Sequence, residues 1–201
     1  GGSISLNGSS TSASAGAMAD EASLFNIFSS GHYDVSSTQG NAGTIVFQSE
    51  GDISLFAATL DASAKYRGGT IKIGDNWRGS FDSAQDRQGN LSYSTTTTIN
   101  QATTLNVNGI EGNGGAIIIW SNQSTRFEGI ATAKSHNGNG GTIEISSKDN
   151  LSIWQHATTD ASSENGKAGT LLLDPKNITI ATSGIGATVS YFALTDPNAD
   201  T

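Results

Sequence analysis

The residues of this chain that could do chemistry are few and stand far apart. His32, His136 and His156 are separated by 104 and 20 residues, whereas a helical zinc motif needs two histidines a few residues apart. The absence of cysteine excludes a thiolate metal site. Calcium-binding repeats need glycine and aspartate in strict alternation, and the aspartates here are isolated. We therefore expect no metal site and no cofactor.

Among the outward positions of the repeated strand described below, only Lys72 and Glu144 are charged. Both fall at positions predicted to face away from the core of a strand, where a polysaccharide lyase or hydrolase would place its carboxylates and bases. The repeat described below puts two coils between them, or about 14 Å at about 4.8 Å per coil. That distance is too long for paired catalysis. We therefore expect that the chain is not an enzyme. A β-helical polysaccharide lyase or hydrolase stays an alternative.

Aromatic residues concentrate in two segments that interrupt the regular pattern of the chain. The segment 17–33 contains the densest apolar run, and we expect a short helix or a flap there. The segment 77–94 is a loop-like excursion that combines tryptophan, arginine and phenylalanine. Irregular segments often carry binding residues; the alternative is that they cover a flank of the fold. The candidate binding residues are Phe25, Phe28, His32, Tyr33, Trp77, Arg78 and Phe81.

The composition favours a folded protein with a thin core. Only 35% of the 201 residues are hydrophobic and 14% are charged, with 25 glycines and two prolines. A disordered chain would normally be richer in charge or proline, and a narrow solenoid needs little apolar side chain per residue. The net charge of −8 and the scattered lysines and arginines argue against a nucleic acid partner.

A glycine followed by two large apolar residues recurs six times along the chain. The apolar residues stand two and four places after each glycine, and strand side chains alternate between faces with period two. The six pairs therefore point to the same side of six short strands. The predicted ladder consists of Ile4, Leu6, Ile45, Phe47, Ile71, Ile73, Ile117, Ile119, Ile143, Ile145, Leu171 and Leu173.

The distances between these glycines predict a stack of coils. Gly43 to Gly69 and Gly115 to Gly141 are each 26 residues, within the range of solenoid repeats. The intervals of 41 and 46 residues are each close to two shorter coils, which gives about eight coils. Three strands fit in one coil, at 142–146, 151–154 and 157–161 in the coil after Gly141. We expect an all-β parallel β-helix that forms one continuous domain over 1–201; a sandwich of hairpins would repeat every 8–12 residues instead.

Five segments occur in the order in which they stand in a known family. They are GDNWRG (74–79), GGAIIIWS (114–121), TRFEG (125–129), GNGG (138–141) and GTLLLDPKNITI (169–180). In this order they resemble the exoproteins of filamentous-haemagglutinin type, which are the secreted partners of bacterial two-partner secretion systems. The resemblance covers roughly residues 69–180, whereas 1–68 match only as generic repeats. The secretion domain that opens these exoproteins has no counterpart here, so we expect an internal piece of a longer protein.

The resemblance implies a right-handed parallel β-helix, export through an outer-membrane two-partner secretion transporter, and a place on the bacterial surface or in the medium. The usual roles are adhesion, aggregation or service as the shaft of a contact-dependent toxin. We therefore expect an adhesin or structural rod that binds a surface receptor or glycan on host or bacterial cells. A subunit of an extracellular filament, joined end to end by strand addition, stays an alternative.

Overall fold

The structure, a computed structural model, describes residues 2–8, 26–74 and 93–175. All regular secondary structure in these ranges is β-strand, and the strands form three parallel sheets. Neighbours within a sheet are every third strand along the chain, so each coil contributes one strand to each sheet. The chain is a β-solenoid, which confirms the predicted fold class.

Sheet A carries the predicted ladder. Ile117 pairs with Ile71 on one side and Ile143 on the other, and Ile119 pairs in the same way with Ile73 and Ile145. The flanking strands continue both columns in unbroken register to Ile4 and Leu171 and to Leu6 and Leu173. Sheet A consists of β1 (Ser3–Gly8), β4 (Thr44–Ser49), β7 (Thr70–Ile73), β10 (Ala116–Ile119), β13 (Thr142–Ser147) and β16 (Thr170–Pro175).

Sheets B and C form the other two sides of each coil. Sheet B consists of β2 (Ile27–Ser29), β5 (Ile53–Leu55), β8 (Thr96–Ile99), β11 (Ser124–Phe127) and β14 (Asn150–Ile153). Sheet C consists of β3 (His32–Asp34), β6 (Thr59–Asp61), β9 (Thr104–Asn106), β12 (Ile130–Thr132) and β15 (Thr158–Asp160). The three strands predicted in the coil after Gly141 match β13, β14 and β15 to within one residue at each end.

The described residues form about five coils, so the prediction of eight coils is wrong. Ala116 pairs directly with Thr70, and Ser3 pairs directly with Thr44. The intervals of 46 and 41 residues are therefore single coils with additional residues in them. Most of those residues fall in 9–25 and 75–92, outside the described ranges. Spacing alone does not distinguish two short coils from one coil that carries an insertion.

The predicted irregular segment 17–33 ends inside regular structure. Residues 27–29 form β2 and residues 32–34 form β3, so the expectation of a helix or flap is wrong for them. The apolar run was misleading because Phe28 occupies an outward position of its strand, next to Ile27 on the inward side. The segment 77–94 likewise ends in the coil, where Ser94 is fully buried. The remaining residues of both segments lie outside the described ranges.

The core is one continuous column of side chains inside the coils. Sheets A and B supply large residues such as Phe47 and Phe127, and sheet C supplies both large and small ones, such as Leu60 and Ala131; all four are fully buried. Burial of each large aliphatic or aromatic side chain contributes roughly 1.5–3 kcal/mol.

The anchor glycines are required by the close approach of successive coils. A Cβ atom on Gly141 would lie 2.1 Å from the carbonyl oxygen of Gly115, and one on Gly115 would lie 2.0 Å from that of Gly69. The same contact of about 2 Å recurs at Gly43 and Gly169. Among the described glycines, Gly74 is the one with positive φ, so the anchor glycines are required by space and not by backbone conformation. No side chain fits between the stacked backbones.

Buried hydroxyl groups line the corner between sheets A and B. The Thr125 hydroxyl donates to the Ser146 carbonyl at 2.8 Å and shares a 2.7 Å hydrogen bond with Ser121. One coil earlier, Ser94 and Thr97 both donate to the Trp120 carbonyl at 3.0 Å. The hydroxyls satisfy backbone groups at a corner where the chain leaves one sheet and enters the next.

Candidate functional site

The structure places three of the predicted binding residues on the first described coil. His32 is exposed at the edge of sheet C. Tyr33 packs edge-on against the core residue Phe47 at 5.1 Å between ring centroids, and its hydroxyl bonds to Ser29 at 2.6 Å. Phe28 is 72% exposed. The other four candidates, Phe25, Trp77, Arg78 and Phe81, lie outside the described residues.

Phe28 forms an aromatic platform with Phe56, a residue that the sequence reasoning missed. The two rings stack at 5.1 Å between centroids with an interplanar angle of 18°. Phe28 points outward from β2, and Phe56 follows β5 in the next coil. The periodicity contains the signal that would have found Phe56, because it comes directly after the inward residue Leu55 in the repeat.

A second platform occupies the same position of the repeat at the opposite end of sheet B. The Arg126 guanidinium lies 4.1 Å from the centroid of the Trp154 ring, and Trp154 is 47% exposed. Arg126 stands on β11 in the register position of Phe28, and Trp154 stands in that of Phe56. Arg126 also forms an ion pair with Glu128. Stacking of a guanidinium on an indole ring holds both side chains in place.

Short polar side chains separate the two platforms. Thr98 and Ser54 lie between Phe28 and Arg126 in one row parallel to the solenoid axis. Asn100 and Glu128 lie between Phe56 and Trp154 in the adjacent row, since each follows a residue of the inward column of sheet B. We call these two rows the sheet B strip; its eight residues are Phe28, Ser54, Thr98, Arg126, Phe56, Asn100, Glu128 and Trp154.

Lys72 and Glu144 are closer than the sequence predicted. Both pair with Ile118, so a single strand separates them, or about 10 Å at about 4.8 Å per strand. The predicted 14 Å was wrong because the coils had been overcounted. The expected outward exposure is also wrong for Glu144, whose side chain is fully buried. Its neighbour Ile118 is 6% exposed. A fully buried carboxylate does not reach a substrate in solution.

The histidines take part in local contacts. His136 Nδ1 lies 2.7 Å from Glu164 Oε2 of the next coil, and both side chains are largely exposed. His156 contacts the side chain of the adjacent Gln155 at 3.3 Å. Across the described ranges, no three histidine, aspartate or glutamate side chains are grouped to hold a metal ion. Nor does the described part of the chain contain a helix with the length and hydropathy to cross a membrane.

Carboxylates on sheet C close turns. Asp34, Asp61 and Asp160 each accept a hydrogen bond from the backbone N–H two residues later, at 2.8–2.9 Å. Hydrogen bonds from the hydroxyl and then the backbone of Ser36 lower the pKa of Asp34. Burial raises the pKa of Asp160, but hydrogen bonds from Ser162 and the charge of Lys134 outweigh it, and the net pKa is lowered. The turns that Asp34 and Asp160 close thus help to lower the pKa of both carboxyl groups.

The chain was compared with protein-family models and with curated proteins. No protein-family model matches it, and no curated protein matches it at a significant level. The class of the protein is therefore defined by its fold, a parallel β-solenoid. Adhesins, polysaccharide lyases and proteins of other kinds share that fold, so the function has to be argued from the surface.

Proposed function

We propose that the chain is part of a bacterial secreted or cell-surface adhesin, in which a stiff β-helical shaft presents side chains for attachment. The observation that carries the proposal is the unbroken register of sheet A through all the described coils. Its hydrogen bonds run along the solenoid axis, so the stack resists bending and keeps surface side chains at fixed spacing. Such a shaft suits attachment to a cell, a surface or a matrix.

The proposal treats the chain as non-enzymatic. The candidate pair for acid–base chemistry does not form an open site, because Glu144 is fully buried. Asp34, Asp61 and Asp160 close turns, and Glu128 is paired with Arg126. Export through an outer-membrane two-partner secretion transporter and an extracellular location belong to the proposal and rest on the resemblance of residues 69–180.

Attachment is tested with beads that carry the purified chain at a known density. We expect these beads to adhere to bacterial cells, host cells or extracellular matrix several times more than beads coated with an unrelated protein of similar charge. An Ile145→Asp variant, coated at the same density, serves as the control because a buried charge disrupts the coil stack. Equal adhesion of the chain and the unrelated protein on every surface would contradict the proposal.

Two further measurements address the alternatives. Sedimentation of the chain at increasing concentration distinguishes a monomeric shaft from a filament subunit, which would form long polymers. Incubation with a panel of polysaccharides, followed by assay of reducing ends and unsaturated products, tests for a lyase or hydrolase. Release of products in proportion to the amount of chain would replace the adhesin proposal with an enzyme.

A further inference from the structure

We infer that the sheet B strip binds an extended, uncharged polysaccharide that runs parallel to the solenoid axis. This inference rests on the proposed function, because it names the kind of ligand that the shaft would hold. It is carried by the two platforms, which occupy equivalent positions of the repeat at either end of the strip, and by the side chains between them.

The platforms provide exposed aromatic faces of the kind on which sugar rings stack. Phe28 leaves 72% of its surface exposed although one ring face lies against Phe56. Trp154 leaves 47% exposed although Arg126 covers one of its faces. Each exposed ring is held in place by the group that stacks on one of its faces. Aromatic rings attract the polarised C–H groups of a sugar through their negative faces.

The spacing of the platforms fits a polymer of pyranose units. Phe56 and Trp154 stand in the same row and are separated by three coil steps, or about 14 Å at about 4.8 Å per step. One pyranose unit of an extended chain has nearly the length of one coil step. A polysaccharide along the axis would therefore repeat in phase with the coils, and units three apart would reach both platforms.

The side chains between the platforms can satisfy the hydroxyl groups of a sugar. Thr98, Asn100 and Ser54 offer donors and acceptors on short side chains that lose little entropy on binding. The Asn100 side-chain oxygen is already fixed by the backbone N–H of Ala57 at 3.0 Å and the Thr103 hydroxyl at 2.9 Å. Few, preorganised polar groups between apolar contacts are typical of small-ligand and sugar sites.

The charge on the strip favours a neutral ligand. Arg126 is its one basic residue, and Glu128 neutralises it in an ion pair. The chain as a whole has a formal net charge of −8, so it repels anionic polymers at low salt. An acidic polysaccharide would find no unpaired cation along the strip to compensate for that repulsion.

A protein partner fits the strip less well than a polysaccharide. The aromatic rings of the two platforms lie about 14 Å apart with polar side chains between them, whereas a stable protein interface needs a contiguous apolar core within roughly 800 Å² on each partner. Association of two copies of the chain through sheet B is the competing outcome that the experiment below tests.

The test uses affinity electrophoresis and calorimetry of the full chain with soluble neutral polysaccharides, such as mixed-linkage β-glucan, glucomannan, galactan and dextran. Alginate and polygalacturonate serve as acidic polymers. We expect at least one neutral polymer to bind, and Phe56→Ala and Trp154→Ala each to weaken that binding about tenfold. Tyr66→Ala is the matched control, because Tyr66 is 44% exposed but lies outside sheet B.

Two additional variants separate loss of stacking from loss of structure. Phe56→Tyr and Trp154→Phe keep an aromatic face and should retain most of the binding, and circular dichroism should show unchanged strand content for all variants. With oligosaccharides of the bound polymer, affinity should rise steeply once the chain reaches four units, which is the length that spans both platforms. The rise should disappear in Trp154→Ala.

Each contrary result has a distinct meaning. Binding of acidic polymers alone, or equal binding by the Phe56→Ala, Trp154→Ala and Tyr66→Ala variants, overturns the inference. A change from dimer to monomer in the platform variants, without polysaccharide binding, identifies the strip as a self-association surface instead. Failure to bind any polysaccharide while coated beads still adhere overturns the inference and leaves the adhesin proposal standing. Failure of both overturns both.

Discussion

At the scale of single residues, the repeat is held together by side chains that bond to the backbone of the neighbouring coil. The side-chain oxygens of Asn41, Asn113 and Asn139 each accept a hydrogen bond from the N–H of the residue stacked above, at 2.9–3.2 Å. Ser135 and Ser163 donate to glycine carbonyls of the preceding coil at 2.7 Å and 2.5 Å. These asparagine and serine side chains thus join the corners of successive coils.

Asp160 should make the stability of the chain dependent on acid pH. Its pKa is net lowered in the folded protein, since hydrogen bonds from Ser162 and the charge of Lys134 outweigh the effect of burial. A lowered folded pKa gives a contribution that is present above the unfolded value near 3.8 and is lost as pH falls through the folded value. We expect Asp160→Asn to be less stable than the parent at pH 7.

The parent and the Asp160→Asn variant should approach equal stability as the pH falls below about 3.8. Urea denaturation at pH 7, 5 and 3 measures the difference between them. A Lys134→Met variant should show a smaller effect in the same direction, because Lys134 Nζ lies 3.4 Å from Asp160 Oδ2. A difference between parent and Asp160→Asn that does not change with pH would contradict the assignment.

Gly141→Ala should destabilise the stack, because the new methyl group would lie 2.1 Å from the Gly115 carbonyl oxygen. Both sides of the contact are backbone, so relief requires the coils to separate. We expect a loss of at least about 2 kcal/mol in the free energy of unfolding. Gly2→Ala is the matched control from the same column, since its Cβ would meet nothing within 4 Å. Equal melting temperatures for the two variants would refute the close-approach explanation.

At the scale of elements, each sheet is a column of equivalent positions rather than an independent unit. The strands are short, from three to six residues, and gain stability from the strands above and below them. The solvent exposure of an outward side chain therefore depends on what packs over it as much as on its residue type. Ile118 and Glu144 on sheet A are buried, while Phe28 on sheet B is exposed.

The inward column of sheet A should respond to side-chain volume. Ile145 is fully buried between Ile119 and Leu173. We expect Ile145→Ala to lower the free energy of unfolding by about 2–5 kcal/mol and Ile145→Val by about 0.5–1.5 kcal/mol. Chemical denaturation of both variants measures the two effects. A cost for Ile145→Val that equals the cost of Ile145→Ala would show that the column is not packed as described.

At the scale of the whole molecule, the chain is a one-dimensional stack in which each coil contacts its two neighbours. Stability in such a stack is approximately a sum over coils and their interfaces. Equivalent positions of adjacent uninterrupted coils lie 26 residues apart, as for Asn113 and Asn139, or 28 residues apart, as for Asn139 and Lys167. The molecule should therefore tolerate the loss of a complete coil far better than the loss of part of one.

Excision of one coil tests this directly. Removal of residues 115–140 takes out 26 residues and joins Gly114 to Gly141, so that β7 meets β13 in the same register. We expect the shortened chain to keep its strand signal in circular dichroism and to melt at a lower temperature than the parent. Removal of 115–127 should abolish folding, because it takes out β10 and β11 and puts the sheet C strand β12 where a sheet A strand belongs. Similar behaviour of the two deletions would count against the coil boundaries.

The repeat could be read from the sequence because its signal is local and periodic. The apolar pair after each glycine defines an inward direction, and Ile53 and Leu55 stand at the same offset as Leu151 and Ile153. Candidate sites were harder to predict. Phe56 and Trp154 lie 98 residues apart in the sequence, and their equivalence depends on knowing that β5 pairs directly with β8.

The amino-acid sequence by itself determined the class of fold and the members of the inward ladder. Both follow from alternation within a strand and repetition along the chain, which are properties of neighbouring residues. The tertiary structure decided the number of coils, the burial of Glu144 and the platforms on sheet B. These depend on which coil stacks on which, because an insertion changes the spacing in the sequence and leaves the hydrogen-bonded register unchanged.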